Sequence, residues 1–323
     1  MVSLYYRVAA RRRVDIAAQN HGVAARYVGQ AGIADMGFGS ATVTDETLTC
    51  LSPAKLNLFL HVIGRRPDGR HNLQTLFRLL DWGDDMTFEQ AGASGCTLES
   101  AMPEVSPSEN LILRAADLIM ADVDSRMGVR IKIDKRIPMG GGLGGGSSNA
   151  ATTLLAINQL LGLGYSADNL AQMGLQLGAD VPVFIYGQSA WAEGLGEILT
   201  PIELPERWYV LLRPGCHVST AEIFNAPELT RNTAPITMSA FFAGGARNDL
   251  QSVVVKRHPE VHKALKILGK STPAIMTGSG ACVFAEVDSE DRARAIAAEM
   301  PESMAPVVAR GLNQRPPFIA HCE

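Results

Sequence analysis

The stretch Pro138-Met139-Gly140-Gly141-Gly142-Leu143-Gly144-Gly145-Gly146-Ser147-Ser148-Asn149-Ala150 constrains this chain more than any other, because six glycines and two serines run directly into a helical pattern. Upstream, Val129, Ile131 and Ile133 alternate with Arg130, Lys132 and Asp134, the two-residue period of a half-buried strand. Downstream, Ala150, Leu154, Ile157 and Leu161 recur at helical spacing, and Ser147 or Ser148 stands where a first-turn cap is needed. The order is therefore strand, glycine loop, helix. Glycines let the backbone approach a ligand unobstructed, and N–H groups at a helix start carry partial positive charge, so residues 138 to 148 are read as a phosphate cradle. A plain surface turn is the competing reading, and helix capping directly behind the glycines argues against a loose linker.

Two standard phosphate motifs do not fit. A Walker loop places a lysine after its last glycine to reach the terminal phosphates, and here Ser147 follows Gly146. Gly140, Gly142 and Gly145 match the spacing of a dinucleotide fingerprint, but that fold needs a second strand ending in an acid after the helix. Instead the chain passes Gly162, Gly164 and Ser166 into another helical stretch with Leu170, Met173 and Leu177 on one side.

The length, 323 residues, fits two domains. A net charge of −4 supplies no electrostatic basis for a nucleic-acid or membrane partner, and no apolar run reaches the length of a membrane span. Five scattered cysteines, an odd number without paired metal spacing, fit a reduced cytoplasm, and the histidines are read as holding no structural zinc. Residues 1 to 46, with Arg7, Arg11, Arg12, Arg13 and Arg26, look unlike the rest. They are read as a disordered extension or a start set too early, with Met36 as a later start; an organellar transit segment is the minor alternative. Pro201 and Pro205 mark a boundary, so the expected units are residues 47–203 and 204–323.

The organised chain opens with Ser52-Pro53-Ala54-Lys55-Leu56-Asn57-Leu58-Phe59-Leu60-His61-Val62. Strand alternation puts Ala54, Leu56, Leu58 and Leu60 on one face and Lys55, Asn57 and His61 on the other. A turn at Arg66-Pro67-Asp68-Gly69-Arg70 then reverses the chain, and the hairpin is expected to bring His71 back alongside Asn57. Helices are expected over 106–123 and 259–268, the latter opening on Pro259, and strands over 208–212 and 306–312. Asp180, between Ala179 and Val181-Pro182-Val183, reads by itself as a turn or capping residue. Thr277-Gly278-Ser279-Gly280-Ala281-Cys282 is either a hairpin turn or a second glycine turn facing the first. Strands alternating with amphipathic helices give an α+β class.

Three of these stretches together resemble the motifs of the GHMP kinase superfamily: Ser52 to Leu58 its first, Pro138 to Ala150 its second and Thr277 to Cys282 its third. Leu177-Gly178-Ala179-Asp180-Val181-Pro182-Val183-Phe184 resembles the segment carrying the family's catalytic aspartate. The similarity spans about residues 49 to 312. It implies a two-domain fold: an N-terminal domain like domain 2 of ribosomal protein S5, and a ferredoxin-like α/β sandwich. It implies ATP with Mg²⁺ as cofactors, ATP being held by Pro138, Met139, Gly140, Gly141, Gly142, Leu143, Gly144, Gly145, Gly146, Ser147 and Ser148. Lys55 and Asp180 would be catalytic, with Asp180 accepting the hydroxyl proton and Lys55 stabilising the alkoxide. Asn57, His71, Thr220 and Phe224 would bind a small-molecule substrate, a cytidine diphosphate-linked methylerythritol. The family usually carries an aromatic residue at the position of Arg70, whose planar guanidinium can also stack on a base. The alternatives kept open are a kinase of homoserine, mevalonate or galactose, and a ligand sensor on the same fold. No resident metal site is expected, and the chain is expected to be a monomer or weak homodimer.

Overall fold

The computed structural model describes Arg26–Tyr27 and residues 46–322, apart from 93–94, 104, 122, 124–126 and 245. Its spine is the antiparallel hairpin of β2 (Glu46–Arg65) and β3 (His71–Ala91). The turn between them works as its residues dictate: Gly69 takes a φ of 83°, and Asp68 accepts from the Arg70 backbone N–H at 3.0 Å. The ladder breaks register between Pro53 and Lys55, between Asn57 and Leu60, and between Val62 and Gly64. Because the hairpin closes directly at its turn, His71 pairs with Arg65 while Asn57 pairs with Phe77, so the expected neighbourhood of His71 and Asn57 is not formed by register. The break after Asn57 also separates Lys55 and Asn57 from His61, which is buried among other neighbours.

Strand β5 (Gly128–Asp134) pairs antiparallel with β3 and parallel with β4 (Gly95–Leu98). Helix α1 (Leu111–Met120) is shorter than the expected 106–123, because Asn110 caps it by accepting from Ile112 N–H and residues 106–110 form turns before it. Helices α2 (Gly145–Leu160), α3 (Ala167–Leu175) and α4 (Val181–Tyr186) follow, α3 opening on a capping box of Ser166 and Asn169. These helices bury Ala150, Leu154, Ile157, Leu170 and Val181 against Phe88, Val129 and Ile131 of the sheet. Strands β6 (Ala190–Gly194) and β7 (Ile198–Pro201) extend the sheet, and β1 (Arg26–Tyr27) pairs with β7 at its edge. Two residues of the expected extension therefore join the fold. Arg7, Arg11, Arg12, Arg13 and Met36 lie outside the described residues.

The second half contains β8 (Trp208–Leu212), α5 (Thr220–Asn225), α6 (Met238–Phe242), α7 (Gln251–Arg257), α8 (Pro259–Leu268), β9 (Ala274–Met276), β10 (Val283–Val287) and α9 (Glu290–Ala298). Strand β11 (Val307–Leu312) pairs with β8 through Val307 to Arg310, then with β3 through Gly311 and Leu312. That one strand joins the halves into a continuous sheet, and β12 (Ile319–Cys322) returns to β2. Arg78, buried at 1 % exposure, clamps the seam: it donates to Asn313 Oδ1 at 2.6 Å and to the carbonyls of Pro205 and Gly311 at 3.0 Å. The segment after residue 203 is thus not closed on itself, since its last strands complete the sheet of the first half.

Candidate active site

Between the two halves lies a cleft of about 560 Å³, walled by the whole of residues 138–147 and by Lys55, Asn57, Asp180, Thr220 and Phe224. The glycine loop connects β5 to α2 as the sequence predicts, with Gly144 in the left-handed conformation as the N-cap of α2. Among the described residues no side chain caps this helix, as its N-cap is a glycine. Neither serine is the expected cap: Ser147 lines the cleft, while Ser148 is fully buried and accepts from the Ser52 hydroxyl at 2.8 Å.

Two glycines are required by close approach. A Cβ on Gly142, whose φ is 75°, would stand 2.3 Å from the Thr277 carbonyl oxygen. A Cβ on Gly144 would meet Phe184 at 2.9 Å and the Lys55 side chain at 3.0 Å. The second glycine turn is both things the sequence allowed: it connects the antiparallel strands β9 and β10, and it faces the first loop. Ala281 N–H and Cys282 N–H donate to the carbonyls of Gly140 and Gly141 at 3.2 Å. Burial against the loop pushes the Cys282 thiol up to about 12, which leaves it a protonated packing group.

Lys55 is 3 % exposed and sits at the first register break of β2, where its backbone N–H donates to Leu143 O at 3.0 Å. Its ammonium lies 3.2 Å from Asp180 Oδ2 and donates to Asn57 Oδ1 at 2.5 Å. Asn57 in turn donates to Thr75 Oγ1 at 2.9 Å, and its backbone N–H donates to Thr277 Oγ1 at 2.9 Å. Asp180 begins α4 but makes no side-chain capping bond, so its carboxylate stays free for the cleft; its side chain is 35 % exposed. The capping role that its sequence context favours is therefore not the one it takes.

The far end of the cleft is made of side chains. Thr220 shares a 2.7 Å hydrogen bond with Ser279, and Phe224 stacks on His71 with ring centroids 5.2 Å apart. His71 itself does not wall the cleft but backs Phe224. Burial, helped by the charges of Arg231 and Arg65, holds the His71 pKa below its ordinary value. Arg70 is turned outward and donates from Nε and NH2 to the single oxygen Asp68 Oδ2 at 2.9 and 2.8 Å, so it does not stack on either ring.

The largest omission of the sequence reading is Asp84. It is fully buried and accepts four hydrogen bonds of 2.7 to 2.8 Å, from the backbone N–H groups of Arg136 and Ile137, from Lys135 Nζ and from Asn149 Nδ2. One carboxylate thus ties the end of β5 to the start of α2 and brackets the glycine loop from both sides. A carboxylate inside an otherwise apolar strand face was the available signal. A second omission is the HxxxH spacing of His258 and His262: His258 joins Cys216 and Glu260, whose ligand atoms lie within 4.8 Å of one another. That group flanks the N-terminal end of α8, where the helix dipole opposes a cation.

This fold, with its glycine-lined cleft, is that of a GHMP kinase: the model of the GHMP kinases N terminal domain matches residues 110–188, and that of the GHMP kinases C terminal domain matches 235–306. A 4-diphosphocytidyl-2-C-methyl-D-erythritol kinase from Aromatoleum aromaticum is 53 % identical over 267 residues, covering 83 % of this chain and 94 % of the relative. One from Thiobacillus denitrificans is 52 % identical, covering 82 % and 95 %. A crystal structure of 4-(cytidine 5'-diphospho)-2C-methyl-D-erythritol kinase superposes with a TM-score of 0.72 at 33 % identity, over 81 % of this chain and 98 % of that one. The chain belongs to the 4-diphosphocytidyl-2-C-methyl-D-erythritol kinase family.

Proposed function

We propose that the protein transfers the γ-phosphoryl group of ATP to the 2-hydroxyl of 4-diphosphocytidyl-2-C-methyl-D-erythritol, giving the 2-phosphate and ADP on the non-mevalonate route to isoprenoid precursors. The observation that carries this reading is the 3.2 Å pair of Lys55 and Asp180 at the edge of the glycine loop, inside one cleft. Phosphoryl transfer rests on positioning and charge stabilisation, and a ring of backbone amides supplies both for the triphosphate. Asp180 accepts the proton of the attacking hydroxyl, and Lys55 stabilises the oxygen as negative charge develops. Asn57 is proposed to act through Lys55, since its amide oxygen already holds the ammonium and its amide nitrogen holds Thr75.

Mg²⁺ bound with the phosphates would neutralise charge on their oxygens; Ser147 and Glu109 are oxygen donors on the cleft wall and fit such an ion, which keeps most of its shell as water and phosphate. Thr220 and Phe224 are proposed to receive the cytidine end, and His71 to support it from behind. The proposed units remain 47–203 and 204–323, with the tail strands crossing the seam. Among the described residues no helix is long and apolar enough to cross a membrane. We place the reaction in the cytoplasm, carried out by a monomer or weak homodimer without nucleic-acid or membrane partners. The test is ADP release across a panel of alcohols. Turnover with the diphosphocytidyl substrate is expected, and turnover with homoserine, mevalonate or galactose in its absence would overturn the reading.

A further inference from the structure

Arg231 belongs to none of the sequence motifs, yet every part of its guanidinium is engaged. Its Nε–H donates to His71 Nε2 at 3.1 Å, NH1 donates to Leu229 O at 3.1 Å, and NH2 donates to Phe224 O at 2.9 Å and Ala226 O at 2.7 Å. The three carbonyls lie at and just beyond the end of α5, whereas His71 opens β3 on the other side of the seam. One side chain therefore joins the residues that carry the two stacked rings of the far end.

The direction of the Nε–H bond is not free. A guanidinium only donates, so His71 Nε2 must accept, and an accepting ring nitrogen carries no proton. The His71 ring is then neutral with its single proton on Nδ1, and that N–H is the one polar group of the ring left without a hydrogen bond inside the protein among the described residues. We infer that Arg231 is a positioning residue for the nucleoside end of the substrate: it fixes His71 as an Nδ1–H donor and locks the His71–Phe224 stack to α5. This rests on the proposed function for the location of the nucleoside.

Because His71 backs Phe224 and does not wall the cleft, Arg231 acts on the nucleoside through the placement of the Phe224 ring. Lysine at this position cannot substitute, because a single ammonium does not span the histidine nitrogen and three carbonyls as a planar fork does.

The test uses the full chain, with cytidine diphosphate as the probe. Nitrogen NMR of the ring in the wild-type protein should show His71 as one neutral Nδ1–H tautomer at neutral pH. In Arg231→Lys and Arg231→Met the tautomers should mix, and cytidine diphosphate affinity should fall by about tenfold or more. The KM for ATP should be unchanged. A protonated or Nε2–H ring in the wild-type protein overturns the inference even if both variants fail to fold, and so does unchanged cytidine diphosphate affinity in a folded variant. Failure of the functional reading is separate: it would appear as no turnover of the diphosphocytidyl substrate by the wild-type enzyme.

Discussion

The two ends of the cleft are built by different means. The phosphate end is backbone: a contiguous run of amides, held by one buried carboxylate and by a second glycine turn pressed against it. The far end is side chain: rings and hydroxyls from β3 and α5, joined by Arg231 and tied through the Thr220–Ser279 pair to that same second glycine turn, which the two ends share. Lys55 and Asp180 pair on the wall of the same cleft. A backbone site reads a group that every nucleotide shares, whereas a side-chain site reads what distinguishes one acceptor from another. The contrast teaches that nucleotide binding and acceptor choice should be separable by mutation.

The largest expected effect falls at the junction. Asp180→Asn should lower turnover by about 10²- to 10⁴-fold while the KM for ATP stays near the wild-type value. Near-normal turnover would break the division of labour at its centre. Asp84→Ala tests whether the phosphate end depends on its buried anchor. It removes the counter-charge of Lys135 and the acceptor of two backbone amides and should remove about 3–5 kcal/mol of stability in denaturant unfolding. A loss below about 1 kcal/mol would show that the glycine loop holds itself.

Phe224→Ala sharpens the contrast from the opposite end. Steady-state kinetics should show the KM for the cytidyl substrate rising by roughly tenfold, the worth of one lost ring contact, with the KM for ATP unmoved. A matching rise for ATP would mean that the two ends are not independent. The smallest effect concerns His61, buried with both ring nitrogens unpartnered among the described residues, whose pKa burial holds below the ordinary 6.5. Its folded state favours the neutral ring, so it contributes no pH dependence well above 6.5, and stability is lost as pH falls from there through the lowered folded value. In His61→Phe, thermal unfolding should show less loss of stability over that window than in the wild-type protein; an identical slope would exclude this ring as the cause.

The same division explains what was legible in the sequence. The phosphate end could be read directly, because strand, glycines and helix are consecutive and each glycine reports a local backbone demand. Lys55, Asn57 and Asp180 were found through motif resemblance, which is how residues far apart in sequence were brought to one site. What local reasoning misplaced was tertiary. Asp180 looked like a cap and is an ion-pair partner; Ser148 looked like a cap and is a buried acceptor for Ser52; His61 looked like a neighbour of Lys55 until the register breaks in β2 separated them. The buried Asp84 and Arg78 and the half-buried Arg231 were not recognised, because such a charge is recognisable only once the groups that satisfy it are known.

The most direct test of the convergence at the centre of this account is a crystal structure of the protein with a non-hydrolysable ATP analogue and 4-diphosphocytidyl-2-C-methyl-D-erythritol. The substrate's 2-hydroxyl should lie within hydrogen-bond reach of the Asp180 carboxylate, about 3 Å, with the γ-phosphate between Lys55 and the amides of the glycine loop. A triphosphate bound away from that loop, or a 2-hydroxyl turned away from Asp180, would contradict it.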